Sequence, residues 1–275
     1  MKRLRLLATD FDGTLLGEPK DGRETYAFFR QQLRHFRYRY GMKWAVVTGR
    51  HIATIPAVVG ELLIHGLVPD FLVMEDACIY RRAGGRYWPF WWWNLGLNLR
   101  RKRQVRRHRT HILALAKTTM ERFPGAENLT GKRMLDFWFR FPNEAQAREV
   151  EQELQGEFKG NVDFFIFRWD CEVCLAPTAG TKADALTKLE KTLGIRPEEV
   201  AAIGDGQNDV SMLDRRYCGY PGCVDNASGP VKEVVIGTGG YVANLSVMMG
   251  VVEFMDFLQR DLTDDGSSRK PGAGV

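Results

Sequence analysis

Short apolar runs separated by helical patterns occupy the first and last thirds of the chain. Helical periodicity is clear at 181–195, where Ala185, Leu186, Leu189 and Leu193 have the i, i+3/i+4, i+7/i+8 spacing of one helix face. Four apolar runs have the pattern of buried parallel strands, and each ends at glycine or an acid: 4–10 (LRLLATD), 43–49 (KWAVVTG), 70–75 (DFLVME) and 200–205 (VAAIGD). Alternating strands and helices predict an α/β fold with a doubly wound, Rossmann-like core.

The middle third has a different pattern, which predicts an inserted α+β domain. It begins with a Gly-Gly hairpin candidate (RRAGGRYW) and a long basic helix that runs to about Phe123. A strand pattern at 133–141, a helix pattern and two further strands follow. We therefore expect a core at 1–80 plus 173–263, an α+β cap at 81–172, and a disordered Gly/Ser/Pro-rich tail at 264–275.

The composition is that of a soluble globular protein, with 44% hydrophobic and 27% charged residues in 275. No run approaches the roughly 18 apolar residues of a membrane helix. The N-terminus has only a short apolar run and no small-residue cleavage site, so we expect no signal peptide. The chain has five cysteines, an odd number, which favours a reducing compartment. These features predict a cytoplasmic protein without a membrane partner.

The net charge of +5 comes from one segment. Residues 100–109 (RRKRQVRRHR) hold seven Lys and Arg, and without them 32 basic residues face 34 acidic ones, or about −2. Such a run could gather an anionic substrate, bind nucleic acid, or form a solvated helix face, and the last is most common. Nucleic-acid proteins usually spread basic residues over a whole face, so we do not favour that partner.

The candidate chemistry lies where the predicted strands end. In an open α/β sheet these ends meet at one edge, so we expect convergence there of Asp10, Asp12, Thr48, Gly49, Asp205 and Asp209. Several carboxylates repel one another unless a cation lies among them. Mg²⁺ suits carboxylates, water and phosphate oxygens, and Lys182 could add a second positive charge.

The spacing of Asp10 and Asp12 predicts separate roles. Gly13 permits a turn, so one carboxylate can face a metal while the other lies beside a substrate, giving one attacker and one proton carrier. Simpler alternatives stay open at this level. Asp-Gly is a common turn dipeptide, Thr48 could cap a helix, and Lys182 could be a solvated lysine with Lys188 as its competitor.

Taken together, the polar motifs resemble those of a known family. DFDGT after the first strand, VVTGR after the second, Lys182, and GDGQND after the later strand resemble the four motifs of the haloacid dehalogenase-like phosphatases, from about residue 4 to 258. The insert is similar to that family's type IIB cap. Such caps occur in Cof-like sugar phosphatases, mannosyl-3-phosphoglycerate phosphatase, eukaryotic phosphomannomutase and sucrose-phosphate phosphatase. The stretch from Val68 to Gly96 most resembles the sucrose-phosphate phosphatase and Cof-like branch.

The resemblance implies a role for each motif residue. Asp10 would attack phosphorus, and Asp12 would protonate the leaving alcohol and then deprotonate water. Mg²⁺ would bind the Asp10 and Asp205 carboxylates and the Asp12 backbone carbonyl. Asp209 would support Lys182 or a metal-bound water. The phosphoryl group would be held by Thr48, Gly49, Lys182 and Asn208.

The expected function is therefore Mg²⁺-dependent hydrolysis of a small phosphorylated metabolite, most simply a sugar phosphate, through an aspartyl-phosphate. Two alternatives remain: a hexose-phosphate phosphomutase, or a non-catalytic nucleic-acid binder acting through 100–109. The tryptophan-rich stretch 88–96 could stack on sugar rings, form cap core or form a dimer surface. Gln207 departs from the small residue common in the family, and Asn226 is expected to pack at the site's edge.

Overall fold

The computed structural model describes residues 3–17, 22–130 and 137–263 of the chain. The chain forms two compact units: the first comprises 1–90 with 181–275, and the second comprises 91–180. The second unit is thus inserted into the first, as the sequence pattern predicts. The expected tail at 264–275 lies outside the described residues.

Within the described residues the strands, numbered along the chain, are β1 (Leu6–Thr9), β2 (Lys43–Val47), β3 (Phe71–Met74), β4 (Cys78–Ala83), β5 (Arg86–Pro89), β6 (Glu127–Asn128), β7 (Phe137–Arg140), β8 (Phe164–Trp169), β9 (Glu172–Pro177), β10 (Val200–Gly204), β11 (Tyr220–Cys223) and β12 (Tyr241–Val242). The α-helices in the same ranges are α1 (Arg23–Tyr40), α2 (Ile55–Ile64), α3 (Trp91–Arg122), α4 (Glu144–Glu157), α5 (Lys182–Leu193), α6 (Gly229–Gly237) and α7 (Val247–Thr263).

The first unit is built on one large sheet in the order β12-β11-β10-β1-β2-β3-β4-β5. Its strands are parallel from β12 to β3, and β4 and β5 continue it as an antiparallel hairpin. β1 is central, and all four of its residues are buried. The chain moves outward from β1 through β2 and β3 on one side, and from β10 through β11 and β12 on the other. This reversal of strand order lies beside β1, where α/β sheets bind their ligands.

Helix boundaries in the first unit follow local sequence signals. α1 ends at Gly41, as predicted. α5 begins with a capping box. The Thr181 side chain accepts a hydrogen bond from the Asp184 backbone N–H, and the Asp184 side chain accepts one from the Thr181 backbone N–H. Its predicted apolar face is buried through Ala185, Leu186 and Leu189. The capping box fixes where α5 starts, and so it fixes the position of Lys182, the first residue of the helix.

The second unit has a four-stranded antiparallel sheet in the order β6-β7-β9-β8. Its core contains apolar residues from α3, α4 and these strands, among them Val105, Ile112, Val150, Phe164 and Leu175. This arrangement is the α+β insert that the sequence predicts. Of the strand pattern at 133–141, the structure describes 137–141.

Both expected boundaries of the insert shift by about ten residues. The Gly-Gly hairpin, assigned to the cap from 81 onward, belongs to the large sheet because β4 pairs with β3 across a short turn. At the other end, residues from 173 were assigned to the core, but β9 pairs with β7 and β8 in the small sheet. The division therefore falls after Phe90 and after Gly180.

The basic run lies on α3 and is mostly solvated. Arg101 is the exception, since it is buried and its guanidinium donates to the carbonyls of Ala179 (2.9 Å) and Gly180 (3.1 Å). Trp91 and Trp92, at the start of the same helix, are 72% and 87% exposed and so are not cap core. No helix in the described parts of the chain is long and apolar enough to cross a membrane.

Candidate active site

Asp10 lies at the centre of the site, immediately after β1. Its backbone N–H donates to the Ile203 carbonyl of β10 (2.9 Å), which continues the sheet ladder by one residue, and its side chain is buried. Thr48 follows β2 and Asp205 follows β10, so the ends of the three strands beside the switch point each carry a predicted site residue. The topology therefore brings the first, second and fourth motifs to one edge.

Lys182 joins two of these motifs through a buried ammonium group. Its Nζ lies 2.5 Å from Asp10 Oδ1 and 2.5 Å from Asp209 Oδ1, and it donates to the Val47 carbonyl at 3.2 Å. Lys182 is wholly inaccessible to solvent, whereas Lys188 is half-buried. Burial opposes charge on Lys182, but the carboxylates of Asp10 and Asp209 outweigh it and raise its pKa above the usual value. The alternative of a solvated Lys182 is therefore wrong.

Asp209 is held by hydrogen bonds to both of its oxygens. While Oδ1 accepts from Lys182, Oδ2 accepts the backbone N–H groups of Asp205 (3.0 Å) and Gly206 (2.8 Å). The Asp209 side chain packs directly against Gly204, where a Cβ atom would overlap it. Asp209 thus shapes the loop after β10 and fixes Lys182.

Asp205 is oriented by Thr14, whose buried hydroxyl donates to Oδ1 at 2.6 Å. Carboxylate oxygens of Asp10, Asp205 and Asp209 all lie within 4.8 Å of one another. Three ionised carboxylates beside one ammonium leave two negative charges, which one dication would neutralise. Because both Asp209 oxygens already accept hydrogen bonds, Asp10 and Asp205 are the better direct ligands. The donor set is all oxygen, which fits Mg²⁺.

The acidic cluster changes the proton affinity of its members. Burial, together with the charges of Asp209 and Asp205, raises the pKa of Asp10 well above its usual value, although Lys182 opposes this. Burial and the charge of Asp209 raise the pKa of Asp205 to about 6, while the Thr14 hydrogen bond lowers it. Binding of a cation would favour the ionised form of both groups.

Gly13 makes the turn that separates Asp10 from Asp12. Its φ is +78°, and a Cβ atom there would overlap the Asp205 carboxylate, so only glycine fits. Asn226 holds this turn, since its Nδ2 donates to the Gly13 carbonyl (2.7 Å) and its Oδ1 accepts from the Val247 backbone (2.9 Å). Asn226 packs at the edge of the site, as expected.

Asp12 lies apart from the acidic cluster in a two-point ion pair with Arg50. Arg50 Nη2 lies 2.6 Å from Oδ1 and Nε lies 2.9 Å from Oδ2. Arg50 also contacts Glu61 at 3.1 Å, and its guanidinium lies over the Phe11 ring, 4.6 Å from the centroid. These contacts indicate that Arg50 has a structural role, which is to hold the Asp12 side chain in place.

The remaining predicted residues surround the loop after β2. Thr48 is buried, donates its backbone N–H to the Val73 carbonyl (2.8 Å), and accepts the Arg50 N–H on its hydroxyl (3.1 Å). Asn208 lies near Gly49, where a Cβ atom would be 3.7 Å from its Nδ2. Gln207, which stands where the family commonly has a small residue, is exposed.

One acidic residue at this edge escaped the sequence interpretation. Asp76 follows β3, and its Oδ1 accepts a hydrogen bond from Asn208 Nδ2 at 3.2 Å. The sequence contained a signal for this residue, because the third apolar run, like the first and the last, is followed by acidic residues. In the structure β3 pairs with β2, so its end lies at the same edge of the sheet. Asp76 was missed because it lies one position beyond the predicted end of the strand.

Sequence comparison defines the family. A family model described as haloacid dehalogenase-like hydrolase matches residues 100–248, more than half of the chain. The chain therefore belongs to the haloacid dehalogenase-like hydrolases, which confirms the predicted family, fold class and hydrolase activity. The 5-amino-6-(5-phospho-D-ribitylamino)uracil phosphatase YcsE of Bacillus subtilis is 23% identical over 261 residues, covering 91% of this chain and 94% of that protein. A protein of the same name from Escherichia coli, YbjI, is 22% identical over 277 residues and covers 92% and 95%.

Solved structures share the fold. The sucrose-phosphatase of Synechocystis sp. PCC6803, determined with sucrose and phosphate, superposes with a TM-score of 0.70 at 18% identity and covers 94% of this chain and 98% of its own. A HAD/COF-like hydrolase from Plasmodium vivax has a TM-score of 0.67 at 17% identity, covering 95% and 97%. At these identities the likeness concerns the fold alone.

Proposed function

We propose that this hydrolase is a Mg²⁺-dependent phosphatase that cleaves a sugar phosphate or a closely similar phosphorylated metabolite through an aspartyl-phosphate. One observation carries the proposal: the buried Lys182 bridges Asp10 and Asp209 at the switch point, with Asp205 beside them. The ammonium, and a cation that the carboxylates would hold, suit phosphoryl transfer because the transferred group carries negative charge on its equatorial oxygens.

Each residue has a defined part in the proposed reaction. An Asp10 oxygen attacks phosphorus, the bond to the substrate oxygen breaks, and Asp12 gives that oxygen a proton. Asp12 then takes a proton from water, which attacks the aspartyl-phosphate, releases inorganic phosphate and restores Asp10. Phosphoryl oxygens contact Thr48, Lys182, Asn208 and the Gly49 backbone.

The proposed metal ligands are the carboxylates of Asp10 and Asp205 and the backbone carbonyl of Asp12. When bound, Mg²⁺ offsets the charge of the acidic cluster and polarises a phosphoryl oxygen. Asp209 supports this arrangement without binding the metal itself, because it accepts hydrogen bonds from Lys182 and from the backbone of the loop that carries Asp205.

The proposed substrate class follows the relatives' names. The Bacillus subtilis relative is named for a phosphate on a ribityl chain, and the Synechocystis protein was solved with sucrose and phosphate. Ribityl phosphate and sucrose are both polyhydroxylated compounds, which supports a sugar or sugar-alcohol phosphate. We also propose a cytoplasmic location, since the chain has an odd number of cysteines, five, as is common in a reducing compartment.

The test is a panel of sugar phosphates and sugar-alcohol phosphates, assayed with Mg²⁺ and with a chelator. We expect release of inorganic phosphate that requires Mg²⁺ and is lost in Asp10→Asn. The matched control is Lys191→Met, which alters an exposed lysine on α5 and should leave turnover unchanged. An isomerised sugar phosphate in place of free phosphate would indicate a phosphomutase. Equal turnover by Asp10→Asn would contradict the proposal.

A further inference from the structure

The loop after β3 has an unusual backbone. Glu75 and Asp76 have φ values of 49° and 62°, in the left-handed region that side chains other than glycine seldom adopt. Two hydrogen bonds hold them there: the Glu75 N–H donates to the Arg50 carbonyl and the Asp76 N–H donates to the Thr48 carbonyl, both at 3.0 Å. The loop after β3 is therefore joined to the loop that carries the second motif.

This backbone directs the Asp76 carboxylate toward the proposed phosphate site. Its Oδ1 accepts from Asn208 Nδ2 at 3.2 Å. Both groups lie over Gly49, since a Cβ atom at Gly49 would be 3.6 Å from Asp76 Oδ1 and 3.7 Å from Asn208 Nδ2. The contact links residues 132 positions apart and brings together the ends of β3 and β10.

The chemistry of this contact fixes the orientation of an amide. An ionised carboxylate only accepts hydrogen bonds, so the nitrogen of Asn208, and not its oxygen, must face Asp76. One Nδ2 hydrogen is used in this bond, and the second is left to donate elsewhere. A donor that is already oriented loses little entropy when a phosphoryl oxygen binds.

We propose that Asp76 is a positioning residue that holds the Asn208 amide with its second N–H directed at the phosphoryl group. The phosphoryl contact rests on the proposed function, whereas the orientation of the amide does not. The role requires a group at position 76 that only accepts hydrogen bonds, as an ionised carboxylate does.

Kinetics with p-nitrophenyl phosphate and Mg²⁺ test the role. Asp76→Gly removes the acceptor and tolerates the positive φ, and we expect kcat/KM to fall about tenfold. Asp76→Asn also tolerates that φ but can present either its oxygen or its NH₂ to Asn208, so it orients the amide only in part and we expect an intermediate loss of about threefold. The control Glu75→Gln removes the neighbouring charge and should match wild type.

A double-mutant cycle separates positioning from a general structural effect. Adding Asp76→Gly to Asn208→Ala should cause no further loss of kcat/KM, because the amide that Asp76 orients is already absent. Additive losses would overturn the proposal. So would wild-type activity in Asp76→Gly, or equal losses in Asp76→Asn and Asp76→Gly.

A spectroscopic measurement distinguishes failure of this inference from failure of the proposed function. In ¹⁵N-labelled protein without substrate, the side-chain NH₂ pair of Asn208 is assigned by its disappearance in Asn208→Ala. We expect Asp76→Gly to shift this pair while Glu75→Gln leaves it in place. An unshifted pair overturns the orientation whether or not the protein hydrolyses phosphate esters. A shifted pair in an inactive protein would leave the orientation standing and contradict only the proposed function.

Discussion

Lys182 Nζ lies 2.5 Å from Asp10 Oδ1 in the protein interior, although the two residues are 172 positions apart in the chain. The pair spans the insertion, because Asp10 precedes the second unit and Lys182 follows it. A buried ammonium is stable only when its partners compensate for lost hydration. Here Asp10, Asp209 and the Val47 carbonyl provide that compensation.

Lys182→Met should abolish activity and weaken the fold. Removing the ammonium leaves two carboxylates buried without their partner, which typically costs about 3–5 kcal/mol. We expect the free energy of unfolding, measured with denaturant, to fall by that amount and turnover to fall at least ~100-fold. Lys191→Met on the same helix is the control. An Lys182→Met protein as stable and active as the control would contradict the site's geometry.

Arg50→Met tests whether Arg50 places Asp12. Methionine keeps apolar contact with the Phe11 ring but cannot form the two-point pair with the carboxylate. We expect kcat to fall about fivefold, because Asp12 would then sample several rotamers. Arg216→Met breaks an exposed Arg–Asp pair with Asp214 and serves as control. Unchanged kcat in Arg50→Met would refute a positioning role.

Mg²⁺ affinity should fall in acid. The pKa of Asp205 is raised to about 6, so a proton competes with the metal below that pH and the carboxylate is free to bind above it. Calorimetric titration should give a dissociation constant about tenfold larger at pH 5 than at pH 7.5. Asp205→Asn should bind Mg²⁺ weakly at both values. Affinity independent of pH in the wild type would show that Asp205 is not a ligand.

Gly13→Ala should damage the site through the backbone. A methyl group would overlap the Asp205 carboxylate, and the φ of +78° is unfavourable for alanine. We expect a loss of about 1–3 kcal/mol in stability, measured by denaturant unfolding, together with loss of turnover. Gly60→Ala in α2 is the matched control, since nothing lies within 4 Å of the added atom. A fully active Gly13→Ala would rule out this turn as the separator of Asp10 and Asp12.

Much of this site could be predicted because its residues directly follow apolar strands. In a parallel sheet, the strand ends at a switch point lie close together however many residues separate them in the chain. Asp10, Thr48 and Asp205 could therefore be grouped from the sequence. The pairing of strands was harder. Alternation in the Gly-Gly hairpin and in β9 identifies strands, but it does not say which sheet they join, so both boundaries of the insert were misplaced.

Side-chain partners were harder still to predict. The Arg50–Asp12 pair depends on the turn at Gly13, and the Asp76–Asn208 contact depends on two left-handed residues after β3. The sequence indicates the turn at Gly13 but not the partner that Asp12 finds there, and it has no signal for the left-handed residues after β3. Asp76 is an ordinary loop acid in the sequence, and only its fixed backbone brings it over Gly49.

The most direct test of the central claim is to locate a phosphoryl group on the protein. Asp12→Asn should keep the Asp10 nucleophile but lose the base that activates water, and p-nitrophenyl phosphate needs no acid to leave. After mixing with this ester and Mg²⁺, acid quenching and peptide mass mapping should find one phosphoryl group on the peptide that contains Asp10. Chelation of Mg²⁺ should abolish it. A phosphoryl group on another residue, or none in Asp12→Asn while wild type releases phosphate, would contradict the account.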